Sequence, residues 1–383
     1  MSSSEQMHRD APHDAPRPGA HDPARAGVVA TVEHNTFQVE WDDFVERTFG
    51  GDLVQTSAWA RLKQTSGLEI HRIIARVDDA IVGGVQLLAR RIPVLGAVAY
   101  APYGPVVAPD AADDTVALLV DRMRQFCVDA SVRALFVQLP QGGARLESSL
   151  RSIGFEPTHM DVAPCATVRI DLSQTPDELL AGMSKHTRHD VRQSFREPVR
   201  VRFATRTDLP SFYELYCCTA ARQAFTPLPY RYLEHMWDEL HPGGHLEILM
   251  ADVNGVDVSG NMVSCFADTV TGRWLGFDAA RLHQRLRPNE ALIWAAMSWA
   301  RARGCRWLDV GGVNQATMAT SEQLPLKLRF GGHPVAYPEP LKLIVNPYLR
   351  AVYRVVGSNE SVRRFRHSAA RRARAGALKH KRP

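Results

Sequence analysis

Two stretches of this chain carry the same order of apolar and polar positions. In EIHRIIARVDDAIVGGVQLLAR, Glu69 to Arg90, two runs rich in β-branched residues flank Val77-Asp78-Asp79-Ala80, which predicts a β-hairpin. An apolar strand follows at Ala97 to Val107, then helical spacing from about Asp114 to Val128, then the strand ALFVQLP from Ala134. The pattern returns in HLEILMADVNGVDVSGNMVSCFAD as strand, Asn-Gly turn and strand, with GRWLGFDAAR as a third strand, NEALIWAAMSWARARG as a helix and CRWLDVGG as a closing strand. A repeat this long means duplicated domains, because solenoid repeats are far shorter. Ahead of the first unit, Trp41, Phe44 and Val45 fall on one face of a helix, and Leu53, Trp59 and Leu62 on or beside a second. Between the units, DELLAGMSKHTRHDVRQSFREPVRVRFAT predicts a basic helix and a strand. LPSFYELYCCTAARQAFTPLPYRYLEHMWDEL predicts two helices separated by Thr-Pro-Leu-Pro.

Composition agrees with two folded units: 383 residues, 45% of them hydrophobic, give each a core of its own. The formal charge is a modest +5, and the tail between Arg363 and Arg382 alone exceeds it, with nine Lys or Arg and no acid. Such a block attracts nucleic acid or an anionic membrane face, or is simply a solvated tail. Six cysteines show neither zinc-site spacing nor the density of a disulfide scaffold, which suits a reducing cytoplasm. The N-terminal segment lacks the apolar core of a signal peptide, and its Pro, His, Asp and Ala content predicts a disordered tail over 1–34. Prolines and glycines break the apolar stretch from Ile92 to Pro109, so a spanning helix is not expected there and any membrane contact is expected to be peripheral.

Several constellations carry chemistry. Lys327, just ahead of a Phe-Gly-Gly turn, is the leading single candidate. Asp309 ends a strand before Gly311-Gly312 and either orients a substrate amine or caps a turn. Arg188 and Arg192, four apart on the basic helix, either meet an RNA backbone or form ordinary salt bridges. His186, His189 and Asp190 lack a further ligand and read as a solvated face rather than a metal site. Cys217, Cys218 and Cys305 read as small hydrophobes.

Helices, hairpin, third strand, helix and strand is the order of a GNAT-type N-acyltransferase domain. The expected fold class is therefore α/β, with tandem duplicated GNAT-like domains, each a mixed sheet flanked by helices. A CoA-using member needs glycines that let backbone amides close on pyrophosphate at a helix N-terminus. The corresponding loop here, ARLHQRLRPNEA, has no glycine, and APYGPVVAPDAADD sets prolines and the carboxylates of Asp110, Asp113 and Asp114 in that place. Neither half reads as a CoA site, so an acyl donor with another handle is expected and no cofactor.

Together the segments QTSAWARLKQTSG, AYAPYGPVV, SKHTRHDVRQS, TAARQAFTPLPYRYL, RPNEALIWAAMSWARARGCRWLDVGGV and LKLRFGG resemble the Fem family of aminoacyl-tRNA-dependent peptidyl transferases, over about Trp41 to Tyr348. The likeness is to compact members without a coiled-coil arm. It implies aminoacyl-tRNA as co-substrate, a lipid-linked or UDP-linked muropeptide as acceptor, and action in the cytoplasm or at the inner membrane face, where the charge of the basic tail offers a peripheral contact. It also implies that Lys63 and Arg222 hold the precursor's diphosphate, a task that otherwise leaves Lys63 an ordinary surface lysine and Arg222 a partner for a carboxylate. Lys327 is then set near the scissile ester, with Asp309 and Phe277 in the catalytic region, Tyr103 and Asp110 on the acceptor side, and Arg188 and Arg192 toward tRNA. Departures from the family pattern are Tyr103 where an arginine is common, Ala108 in place of an acid with Asp110 after it, Phe277 in place of tyrosine, and Leu326 in place of phenylalanine. Those departures admit a small amine of specialised metabolism as acceptor. A CoA-dependent N-acyltransferase and a non-catalytic tRNA- or membrane-binding protein are the remaining readings. The expected boundaries are a tail over 1–34, domains over 35–163 and 164–332, a segment 333–360 packing back on the first domain, and a basic tail over 361–383.

Overall fold

The computed structural model describes residues 28–34, 37–92, 96–158, 163–281, 286–313, 323–346 and 350. The first half runs β1 (Val29–His34), α1 (Val39–Arg47), α2 (Ser57–Gln64), β2 (Glu69–Val77), β3 (Ala80–Ile92), β4 (Gly96–Pro102), β5 (Val106–Val107), α3 (Asp113–Asp129), β6 (Val132–Gln138), α4 (Ala144–Ser152) and β7 (Glu156–Pro157). The second runs β8 (Ala166–Asp171), α5 (Pro176–Gly182), α6 (Lys185–Ser194), β9 (Val199–Phe203), α7 (Leu209–Gln223), α8 (Tyr230–Leu240), β10 (Leu246–Val253), β11 (Val256–Phe266), β12 (Thr269–Phe277), α9 (Pro288–Ala302), β13 (Trp307–Val313), α10 (Gln323–Leu328), β14 (His333–Ala336) and β15 (Leu341–Ile344).

The repeat seen in the sequence is a repeat of topology. In the first sheet, β2, β3 and β4 are antiparallel neighbours and β6 lies parallel to β4 after the α3 crossover. In the second, β10, β11 and β12 are antiparallel and β13 lies parallel to β12 after α9. Each hairpin turns on residues with positive φ, Asp78 and Asp79 in one and Asn254 and Gly255 in the other. Helix packing follows the apolar spacing: Trp41, Phe44 and Val45 of α1 and Trp59 and Leu62 of α2 are all buried.

Four expectations need correction. Residues 29–34 are not tail but β1, paired along its length with β2. The strand expected over Ala97 to Val107 breaks at Tyr103, whose φ is +49°, so β5 turns back to pair with β3. The single basic helix is two, because Met183 takes an extended ψ of 154° and the Ser184 side chain caps α6. The segment after residue 332 divides, with β14 on β8 of the second sheet and β15 on β6 and β7 of the first. Residues 1–27 and 351–383, including both tails' outer parts, lie outside the described residues.

One apolar core crosses the junction of the halves. Trp59, Leu62 and Tyr103 from the first share it with Phe212, Tyr216, Met236 and Trp237 from the second. Arg61 and Glu239 pair over its rim at 2.9 Å. An interface of this kind fixes the orientation of the halves and therefore the shape of the cleft between them.

Candidate active site

β12 and β13 pair only from Thr269 to Thr271 against Trp307 to Asp309. Past that point they diverge, and a cleft of about 470 Å³ opens between Trp274, Asn261 and Asn289 on one side and Lys327 and Phe330 on the other. A second cleft, about 230 Å³, lies between the halves against Asp52, Tyr103, Arg169 and Tyr337. The two share Gly272, Arg273, Trp274, Asp309 and Gly312 as a common wall. A third of about 510 Å³ extends the second past Asp52 toward Phe49 and Gln141.

Lys327 stands at this junction on α10. Its Nζ donates to the carbonyls of Gly311 at 2.6 Å and Gly312 at 2.8 Å, which leaves one of three ammonium protons for a ligand. Burial holds its pKa below the usual lysine range, and the charge of Asp309 offsets part of that. Asp309 is buried, and its Oδ1 accepts from the Thr167 hydroxyl and from the Gly311 backbone N–H at 2.8 Å. Its Oδ2 lies 3.5 Å from Arg169 Nε. Carboxylate and ammonium thus grip opposite groups of one irregular stretch of β13, where Gly311 has a φ of +90°. A Cβ on Gly311 would sit 2.8 Å from the Gly272 carbonyl, so only glycine fits. Of the two roles open to Asp309, the turn-holding one is what its hydrogen bonds perform.

Lys63 is no surface lysine. Its Nζ donates to the Tyr232 hydroxyl at 2.7 Å and lies 4.8 Å from the centre of the Trp59 ring and 5.1 Å from that of Tyr232. Burial first, and the Arg273 charge second, push its pKa down to about 8. Arg273 donates from Nε to Ser264 at 2.7 Å and lies 5.8 Å from the centre of the same Trp59 ring. Two cations from the two halves share an aromatic wall, and among the described residues no carboxylate pairs with either. That is the electrostatics of an anion site.

Not every expected residue joins this site. Arg222 is exposed at the end of α7, with its guanidinium 5.1 Å from the centre of the Phe277 ring, and the cation whose charge acts on Lys63 is Arg273. Phe277 binds Thr219 through its backbone N–H at 2.8 Å and lines none of the three clefts. Tyr103 lines two clefts, but its hydroxyl donates to the Pro164 carbonyl at 2.7 Å and ties the halves together. Asp110 is exposed ahead of α3, outside the clefts. Arg188 donates to the Ala181 carbonyl at 3.1 Å, and Arg192 is exposed on the same helix. Asp190 is buried in an ion pair with Arg287 at 2.9 Å and faces His186 at 3.2 Å, and the described residues hold no metal-binding group of three or more such side chains. Sequence reasoning missed Arg273 and Arg169. Their one signal is a charge at a strand position whose neighbours are apolar.

The acetyltransferase (GNAT) domain family model matches residues 183–317. Lipid II:glycine glycyltransferase of Staphylococcus aureus (strain MRSA252) is 28% identical over 227 residues, 56% of this chain and 53% of that protein. The chain thus spans about half the length of the curated relatives it matches. Among solved structures, that of FemX superposes with a TM-score of 0.75 at 19% identity, covering 85% of this chain and 99% of that one. A tandem GNAT protein from the clavulanic acid biosynthesis pathway superposes with a TM-score of 0.51 at 11% identity, covering 84% and 99%. The fold is the tandem GNAT fold.

Proposed function

We propose that this chain, which has the tandem GNAT fold and is similar to Lipid II:glycine glycyltransferase, acts as a Fem-type transferase and moves an aminoacyl group from aminoacyl-tRNA to an amine of a peptidoglycan precursor. The observation that carries this reading is the shared wall of the two clefts, with Lys327 lining the first cleft and Arg273 in the wall itself, its charge acting on the neighbouring Lys63. The acceptor lies between the halves, its diphosphate against Lys63 and Arg273. The ester end of the tRNA enters between β12 and β13, with the basic face of α6, including Arg188 and Arg192, toward the RNA.

The acceptor nitrogen attacks the ester carbonyl carbon. The C–N bond forms as the C–O bond to the ribose breaks, the nitrogen loses a proton and the departing ribose oxygen gains one. The remaining proton of Lys327 donates to the carbonyl oxygen as it becomes an oxyanion, and Asp309 acts one step back by holding the glycine turn that positions Lys327. An ester attacked by an amine needs placement more than a covalent intermediate, so no nucleophilic side chain and no CoA are required. The precursor is a lipid-linked muropeptide met at the cytoplasmic membrane face; among the described residues no helix is long and apolar enough to cross a membrane.

Purified protein supplied with charged tRNAs and a lipid-linked or UDP-linked muropeptide will form an amide, and Lys327→Met will lower kcat by about two orders of magnitude. A folded protein that forms no amide with any charged tRNA sinks the proposal.

A further inference from the structure

Along the outer rim of the second sheet, α6, β9 and α9 leave a ridge of apolar side chains in solvent. Phe195, at the end of α6, is 58% exposed and meets Trp294 of α9 edge-on with ring centres 6.1 Å apart. Phe203, the last residue of β9, is 48% exposed and lies 6.0 Å from Trp299. Val201 stands on the same face of that strand at 36% exposure, and Val199, Trp294 and Trp299 close the solvent side of the core beneath. Among the described residues β9 pairs with β10 alone, which places the ridge at the sheet's edge. Arginines stand near the rings: Arg196, next to Phe195 in the chain, is exposed, and Arg303 lies 5.2 Å over Trp299. The neighbouring acid, Glu197, is engaged by the Arg287 backbone N–H at 2.7 Å.

Aromatic rings, valines and arginines on one exposed rim match the headgroup boundary of an anionic bilayer, where rings settle at the interface and guanidinium groups meet phosphates. RNA would use the rings and arginines but gains nothing from Val199 and Val201. A second copy docked face to face would set these arginines against their own kind. We infer that this ridge seats the protein on an anionic lipid surface, independently of the basic residues 363–382. None of Phe195, Val201, Phe203, Trp294 and Trp299 lines a cleft, so the inference stands or falls apart from the proposed transfer reaction.

The test is co-sedimentation of the full chain with vesicles of phosphatidylcholine alone and of phosphatidylcholine with phosphatidylglycerol. The protein binds only the anionic vesicles, and the double variant Phe195→Ser with Phe203→Ser partitions at least about tenfold less. Its thermal unfolding and its turnover of a nucleotide-linked acceptor stay as in the parent. Equal vesicle binding by the double variant overturns the inference and assigns the contact to the basic tail. Failure of the parent to bind overturns it outright, and loss of tRNA binding with vesicle binding intact makes the ridge a nucleic-acid face.

Discussion

Lys63 is held charged in a place that disfavours its charge. Its burial against Trp59 and Tyr232 beside Arg273 costs stability in the free protein, because the folded chain binds that proton less well than the unfolded one. The cost is fully present below pH about 8 and fades as pH climbs toward the ordinary lysine value. Lys63→Met is therefore expected to stabilise the protein by about 1–3 kcal/mol at neutral pH, read as a raised Tm, while abolishing binding of a diphosphate-bearing acceptor. Acceptor affinity in the parent falls as pH rises past about 8, where Lys63 loses its proton. A Lys63→Met protein that melts lower than the parent, or keeps its acceptor affinity, contradicts the anion-site assignment.

At the scale of elements, β1 is held by a pH-sensitive clasp. His34 Nδ1 lies 2.7 Å from His71 Nδ1, a contact that needs one ring neutral. Burial, then the His34 charge, lowers the His71 pKa; Glu69 opposes and Arg91 adds to the shift. The unfolded chain thus takes up more protons below the ordinary histidine value, and the stability of this pairing is lost as pH falls through the lowered one. Amide exchange over 29–34, corrected for the intrinsic rate, is expected to accelerate between pH 7 and 5 by about tenfold, and His34→Asn to flatten that dependence. Unchanged protection across the range removes the clasp. β1 itself is hard to see in the sequence, since VATVEH alternates too weakly and its partner strand supplies the order. The hairpins, α3, α9 and the closing strands are legible because periods of two and 3.6 are local properties. Lys63 and Lys327 are singled out in the sequence by motif likeness alone, whereas Arg273 stands out only beside Trp59 and Lys63, which the chain brings from the other half. The break between α5 and α6 escapes the pattern because both pieces keep their apolar faces.

At the scale of the molecule, the halves are interleaved rather than strung in series. β15 closes the first sheet against β6 and β7, with Leu341, Leu343 and Ile344 buried, although it follows the whole second domain. Ending the chain after Pro338 is expected to cost several kcal/mol, since each buried aliphatic side chain is worth about 1.5–3 kcal/mol, and to expose the first half to protease while the second stays protected. Limited proteolysis followed by mass spectrometry reads the difference, and an equally resistant first half would show β15 to be dispensable. For a chain emerging from the ribosome, this arrangement reverses the usual order of events. The half made first waits with an open sheet edge while the half made second completes itself, and the earlier one closes only when residues 341–344 have left the exit tunnel.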